Sequence, residues 1–343
     1  MRRVFLTATY GLLLMQFRNI NLRHFPISTA SIAASALLAV SLAASAQDYP
    51  MRPVKLVVPF PAGGSSDGTG RLIADKLGQV LKQSVVVDNR GGAGGLIGTD
   101  AVAKSAADGY TLVLVDVFHT STPVYTRKMP YDAVKDFTPV SLIARSPAFL
   151  VAGPSLEAKT ARELIAFARA QPNKLTMAIA GTGSVVVDLF RARSGVQFIS
   201  VPYKGSSPAL IDLLSGQVNV MITTMASAAG HVKAGKLRVL AVTGNKRAAD
   251  FPEVPTFSEA GINDMDYEQW FGIMGPANLP PPVVDKLAGA MTQVHAMPDV
   301  RDKLAAIALE VAAPGAAEMR RKVEGDYARW QRLAKELEIK PLD

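Results

Sequence analysis

The sequence predicts an α/β protein of two doubly wound lobes, each a sheet covered by helices on both faces. Three observations predict it. Strand-like and helix-like segments alternate along most of the chain. Glycine-rich turns join apolar runs to helical segments, as in VKLVV, then PFPAGGSSDGTGR, then LIADKLGQVL. The alternation starts afresh near Pro147. Such an order implies parallel strands with helical crossovers, and right-handed crossovers gather the loops that follow the strands at one sheet edge.

Taken in order, VKLVVPF (54–60) reads as a strand and residues 69–82 as a helix, with Leu72, Ile73, Leu77, Val80 and Leu81 on one stripe. SVVVDN (84–89) is a strand, GGAGGLIGTDAVAKSA a glycine turn entering a helix, and YTLVLVDV (110–117) a strand. In the second unit, the helix 160–170 opens with Thr160 as N-cap and Glu163 in the capping-box position. LTMAIA (175–180) is a strand, followed by GTGS and a helix from about Val185. FISVPY (198–203) is a strand, and the helix 207–216 is ended by Gly216. VNVMIT (218–223) is a strand, 227–234 a helix and LRVLAVT (237–243) a strand. From Trp270, WFGIMGP is a short strand, prolines lead into the next helix, and helices over 298–308 and 315–337 return to the first lobe.

The start of the chain has a different character. Four arginines precede an apolar, small-residue run, Ile32 to Ala43, that ends in Ala44-Ser45-Ala46. That run is short for a membrane span, so residues 1–46 are expected to be a signal peptide cut between Ala46 and Gln47, with Met15 as an alternative start. Removing the leader's four arginines from the 37 Lys and Arg leaves 33 against 29 acids, a net of +4. So mild a charge gives no nucleic-acid footprint. With no cysteine there is no disulfide and no thiol chemistry. Only His119, His231 and His295 follow the leader, without metal-ligand spacing, so neither a metal site nor a cofactor is expected.

The glycine loops fail the tests for nucleotide or nucleophile. Gly63 and Gly68 have the spacing of a phosphate-binding loop, but Thr69 stands where its lysine belongs. Gly68 and Gly70 lead to Ile73, and Gly92 and Gly94 to Ile97, so neither completes a dinucleotide fingerprint. Gly181-Thr182-Gly183-Ser184 and Gly205-Ser206-Ser207 both miss the G-x-S-x-G elbow. What remains for PFPAGGSSDGTGR is either a well-capped strand-to-helix turn or a nest of amides for an anion, with equal weight on each. GTGS in the other unit is a second loop of that kind, placed to grip the far end of a ligand.

Six blocks carry a resemblance along the whole chain after the leader: VPFPAGGSSDGTGRLIADKL, VVVDNRGGAGGLIGTDAVAKSAADGYTL, MPYDAVKDFTPVSLIA, VPYKGSSPALIDLLSGQVNVM, KAGKLRVLAVT and QWFGIMGPANLP. They resemble the Bug (TctC) family, periplasmic receptors of tripartite tricarboxylate transporters. The resemblance implies a type II periplasmic-binding-protein fold. Lobe 1 would comprise 47–146 and 273–343 and lobe 2 147–272, joined by two crossover strands around a ligand cleft. It implies a receptor, not an enzyme, that closes on a small organic mono- or dicarboxylate and passes it to membrane permease subunits. The protein would be a periplasmic monomer. By the same resemblance, Ala62, Gly63, Gly64, Ser65 and Asp67 would hold one carboxylate. Thr182, Gly183 and Ser184 would face it, with Tyr203, Lys204 and Gly205 beside them.

Departures from the family pattern bear on the ligand. VFHTSTP replaces an Asn-Pro segment, making Val117 to Thr122, with Phe118, His119 and Thr120, an altered wall. Val186 and Val187 stand where polar groups are common, and Thr223 and Thr224 where many members have an aspartate. A smaller or more apolar second half of the pocket is expected, and an α-ammonium ligand is disfavoured. Trp270 and Phe271 read as core rather than cleft wall, while Lys204 and Arg90 are either carboxylate partners or surface and structural charges. Two competing readings are delivery to a sensor protein and an exported α/β hydrolase; the missing base–nucleophile constellation argues against the second.

Overall fold

VKLVV and TLVLVD are apolar nearly throughout because both faces of their strands are covered. They form β1 (Val54–Val58) and β3 (Thr111–Asp116), which pair in parallel with Leu56 opposite Leu112. Leu112 and Leu114 enter one core while Val113 and Val115 enter another, the two-residue period of a strand buried on both sides. The computed structural model describes residues 49–180 and 184–341; the expected leader, and Thr182 and Gly183, lie outside the described residues.

Two sheets organise the chain. With β2 (Val85–Asn89), β4 (Phe137–Pro147), β10 (Glu268–Pro276) and β11 (Glu310–Val311), the first has the order β11-β4-β10-β3-β1-β2. The second contains β5 (Phe149–Ala152), β6 (Thr176–Ala180), β7 (Ile199–Tyr203), β8 (Val220–Thr223) and β9 (Arg238–Val242), in the order β7-β6-β8-β5-β9. Neither is wholly parallel. β10 runs antiparallel to β3 and β4, and β5 antiparallel to β8 and β9. Besides the short β11, antiparallel to β4, these are the first strands after one sheet is left for the other: only Ala148 separates β4 from β5, and β10 re-enters from β9. A returning strand runs against its neighbours, which the expectation of parallel sheets left out. The sequence reading also passed over β4 and the two-residue β11. The expected lobe boundary at 272/273 falls within β10.

Ten helices complete the described residues: α1 (Ser65–Leu81), α2 (Leu96–Ala103), α3 (Val117–Tyr125), α4 (Ala161–Ala170), α5 (Val185–Ser194), α6 (Ser206–Ser215), α7 (Met225–Lys233), α8 (Pro281–Ala296), α9 (Pro298–Ala305) and α10 (Ala316–Glu336). Thr160 caps α4 by accepting from the Glu163 amide at 3.1 Å, and Glu163 reaches back to the Lys159 amide at 2.8 Å. Gly70 sets how closely α1 lies on β1, since a Cβ there would come 2.9 Å from Val58 Cγ2. That packing role explains a glycine that no dinucleotide pattern needs. α3 is a correction to the sequence reading, which ran the third strand to 117 and treated the next residues as a wall. Asp116 ends β3 and caps the new helix by accepting from the Phe118 amide at 2.9 Å.

The returning segments are tied down by two tryptophans. Trp270 and Trp330 are fully buried. Trp270 Nε1 donates to Asp326 Oδ2 at 2.6 Å and Trp330 Nε1 to Thr120 Oγ1 at 3.1 Å, fixing α10 across β10 and α3. Trp270 and Phe271 thus belong to the core, as favoured from sequence.

A cleft ringed by helix N-termini

Five strands, β1, β3, β6, β7 and β8, each lead into a helix, and the residues that open those helices meet at one cleft. Gly64, Asp116, Ser184, Gly205 and Thr224 are the N-caps of α1, α3, α5, α6 and α7, and all five line it. Doubly wound topology produces this convergence, because it places every βα turn at the same edge. The first amides of a helix have no acceptor within it, and its N-terminus carries roughly half a positive charge. Only α3 is capped by its own side chain. At Gly64, Ser184, Gly205 and Thr224 no side chain takes the amides.

The cleft holds about 690 Å³ of empty space, including the part open to solvent. Its first wall comprises Phe60, Pro61, Ser65, Ser66 and Phe118 beside Gly64 and Asp116. Its second comprises Ala178, Ile179, Val186, Val187, Met221 and Ile222 with the polar Ser184, Ser206 and Thr223. Tyr267 and Gln269 close the end near the strands that join the sheets, with Tyr267 Oη donating to Gln269 Oε1 at 2.8 Å. Among the described residues lining it there is no lysine, arginine or histidine. The two walls touch at the rim, where Ser207 Oγ donates to the Ala62 carbonyl at 3.0 Å, and again where Tyr125 Oη donates to Asp188 Oδ2 at 2.5 Å.

Of the residues picked from sequence, Gly64, Ser65, Phe118, Ser184, Gly205, Thr223 and Thr224 line this cleft. The others among the described residues sit elsewhere for identifiable reasons. Asp67 turns away from the cleft and ties the loop: it accepts from the Gly63 amide at 2.8 Å, from Arg71 Nε at 3.1 Å and from Asn89 Nδ2 at 3.0 Å. Burial pushes its pKa up, but those donors outweigh it and hold the carboxyl below its ordinary 3.8. Gly63 serves the same tie with φ +85°, and Ala62 is the rim acceptor. Thr120 is fully buried, donating to the Val117 carbonyl at 3.0 Å. His119 points away from the cleft. Its Nε2 donates to the Ala133 carbonyl at 2.7 Å, its ring stacks on Tyr131, and burial lowers its pKa to about 4. Tyr203 gives its hydroxyl to Asp212 at 2.7 Å, and Lys204 is exposed and outside the cleft lining. Arg90 pairs with Asp88 at 2.8 Å.

Asp116 is the residue the sequence reading missed. The aspartate absent from the end of β8 does not leave the cleft without an acid, because one enters from the opposite wall. Asp116 is buried; Oδ1 accepts from the Phe118 amide and Oδ2 from Ser66 Oγ, each at 2.9 Å. Burial raises its pKa to about 6, which those two hydrogen bonds only partly offset. Its signal was available: an Asp ending a strand ahead of a helical segment is an N-cap, and N-caps of βα turns face the cleft. Thr224 Oγ1 is buried with no hydrogen-bond partner among the described residues.

A family model described as "Tripartite tricarboxylate transporter family receptor", TctC, matches residues 69–339. The chain belongs to the TctC family. The TctC chain is 41% identical over 266 residues to Protein BugT of Bordetella pertussis, covering 75% of this chain and 78% of that protein. Among solved structures, R. palustris Rpa4515 with adipate is 37% identical with a TM-score of 0.83, covering 86% of this chain and all of that one. MatC from Rhodopseudomonas palustris with bound malate is 31% identical with a TM-score of 0.80, covering 83% and 99%. The fold is therefore the type II periplasmic-binding-protein fold expected from sequence, two α/β lobes around a cleft. The chain is a solute-binding receptor of a periplasmic family and not an enzyme. Among the described residues no helix is long and apolar enough to cross a membrane.

Proposed function

We propose that this TctC chain captures a small organic mono- or dicarboxylate between lobe 1 (47–146 and 273–343) and lobe 2 (147–272), and delivers it to the permease subunits of a tripartite tricarboxylate-type transporter. One observation carries the reading: four helix N-termini without side-chain caps open on one cleft whose described lining holds no basic side chain. Amide nests of this kind suit a delocalised anion that no cation neutralises. The adipate and malate of two structural relatives support the chemical class. Gly64 and Ser65 would hold one carboxylate, and Ser184, Gly205, Thr223 and Thr224 would meet the rest of the ligand, with the undescribed Thr182 and Gly183 beside them. Val186, Val187, Met221 and Ile222 favour an aliphatic spacer over a heavily hydroxylated one.

Closure would be a hinge motion in which the Ser207–Ala62 and Tyr125–Asp188 contacts form as the lobes meet. Residues 1–46 would direct export and be cut off between Ala46 and Gln47 in its course. A thermal-shift screen of organic acids tests the reading, because a ligand that binds only the native state raises the apparent stability. Straight-chain dicarboxylates are expected to raise Tm, with amino acids and sugars as controls. Stabilisation by the controls alone would overturn it.

A further inference from the structure

An acid inside an anion site is the least expected feature of this cleft. Asp116 lies within hydrogen-bond reach of Ser66, and Ser66 belongs to the first turn of α1, whose free amides are the proposed carboxylate seat. A carboxylate held there is brought next to a buried carboxyl with no basic partner. Two carboxylates in that arrangement cannot both stay ionised without a large penalty, and one proton shared between them removes it.

We propose that Asp116 sets the charge selectivity of the cleft: as the ligand's carboxylate docks, Asp116 takes one proton from solvent and donates it to that carboxylate in an O–H···O hydrogen bond. The inference rests on the carboxylate reading above. The balance is simple: an O–H bond forms on Asp116, the proton comes from bulk water, and one negative charge, the ligand's, remains at the seat. Ser66 and the Phe118 amide keep the carboxyl oriented in either state.

The surroundings assign the proton to this residue. From α3, His119 is held neutral by burial, with its pKa at about 4. From the loop after α3, Tyr131 faces it, and from the approach to β10, Tyr267; burial raises both phenols well above their ordinary value. Behind them, Asp100 is paired with Lys104 and Asp326 with Lys322. Asp116, raised by burial to about 6, is left as the cleft group poised to titrate between pH 5 and 8.

The sign follows directly. Protonated Asp116 welcomes the ligand and ionised Asp116 repels it, so affinity is highest below the carboxyl's pKa and weakens as pH rises through it. The opposite sign would mark an ammonium ligand using Asp116 as an anionic acceptor. The test is calorimetric titration with adipate and with malate at pH 6, 7 and 8, in two buffers of different ionisation enthalpy. The expected result is uptake approaching one proton per ligand at pH 8 and an affinity about 10- to 50-fold weaker at pH 8 than at pH 6. Asp116→Asn should bind with no uptake and a flat pH profile. Ser66→Ala removes a donor to the charged form, so it should move the pH midpoint upward while keeping the proton count. Binding without proton uptake, uptake undiminished in Asp116→Asn, or affinity that strengthens with pH would each overturn the proposal alone. Absence of binding by either acid at every pH would overturn the carboxylate reading and this proposal with it.

Discussion

Among the described residues the first wall of the cleft is braced by a denser net of side-chain hydrogen bonds than the second, where Thr223 Oγ1 lies 3.1 Å from Ser227 Oγ. Beneath Gly64 and Ser65, Asp67 gathers the Gly63 amide, Arg71 and Asn89, while Ser66 is held by Asp116. Helix α2 packs under it so closely that a Cβ at Gly98 would lie 2.5 Å from the Arg90 carbonyl and 3.0 Å from Pro59 Cα. Across the cleft, α5, α6 and α7 begin with uncapped amides, Val186 and Val187 present only apolar surface, and Thr224 Oγ1 has no partner among the described residues. Both walls offer the same chemistry, the amides of a helix start. The difference is preorganisation. The first wall presents its seat before any ligand arrives, which lowers the cost of ordering on binding. On the reading proposed above, the second wall, with the unpartnered Thr224 hydroxyl beside the apolar Val186 and Val187, would discriminate among solutes.

The largest expected effect comes from forcing the two walls apart. A Cβ at Gly64 would already lie 2.8 Å from Ser206 Oγ on the opposite wall. Gly64→Val adds two methyls at that contact, and overpacking of this kind costs about 1–3 kcal/mol. Adipate affinity should fall roughly 10- to 100-fold with the circular dichroism spectrum unchanged. An unchanged affinity would show that the N-termini of α1 and α6 do not need to meet.

Breaking the brace should cost less affinity and more stability. Asp67→Ala leaves the Gly63 amide, Arg71 and Asn89 without their common acceptor, and a loss of about 1–3 kcal/mol in chemical denaturation is expected. Because the folded-state pKa of Asp67 is depressed, its contribution is present above the ordinary carboxylate value of 3.8 and is lost as pH falls through the lower folded value. Wild type and variant should therefore converge in strong acid and differ at pH 7. A gap that stayed constant down to pH 2 would assign the loss to packing instead.

The same contrast separates what could be read in the sequence from what could not. Apart from α3, the helices and the strands of the βα units follow from local pattern, as in VKLVV and the Thr160–Glu163 box, and those were legible. The long strand β4 was not, because Phe137–Pro147 gains its meaning from pairing with β10, more than a hundred residues away. At the site, positions that act through the backbone, such as Gly64 and Gly205, were legible as glycine loops. Side chains were harder. Asp67, His119 and Tyr203 have the right chemistry but spend it on Asn89, Ala133 and Asp212, a choice only three-dimensional neighbours reveal. Asp116 was overlooked because β3 was extended one residue too far, which hid the cap.

The smallest effect is the sharpest test of the second wall. Thr224 buries a hydroxyl oxygen without a partner among the described residues, at the start of α7 and in the lining of the cleft. Replacing such a group by an isosteric apolar one removes a desolvation penalty, so Thr224→Val should leave the ligand-free protein as stable or more stable by up to about 1 kcal/mol. If the hydroxyl is kept for the ligand, the same substitution removes one hydrogen bond from the complex, and affinity should fall roughly 3- to 10-fold. The two readouts move in opposite directions only if the group serves binding rather than the fold. Thermal melts with and without adipate measure both in one experiment. A variant less stable in both states would return Thr224 to the core, and would leave Thr223, whose Oγ1 lies 3.1 Å from Ser227 Oγ, as the polar reader of that wall.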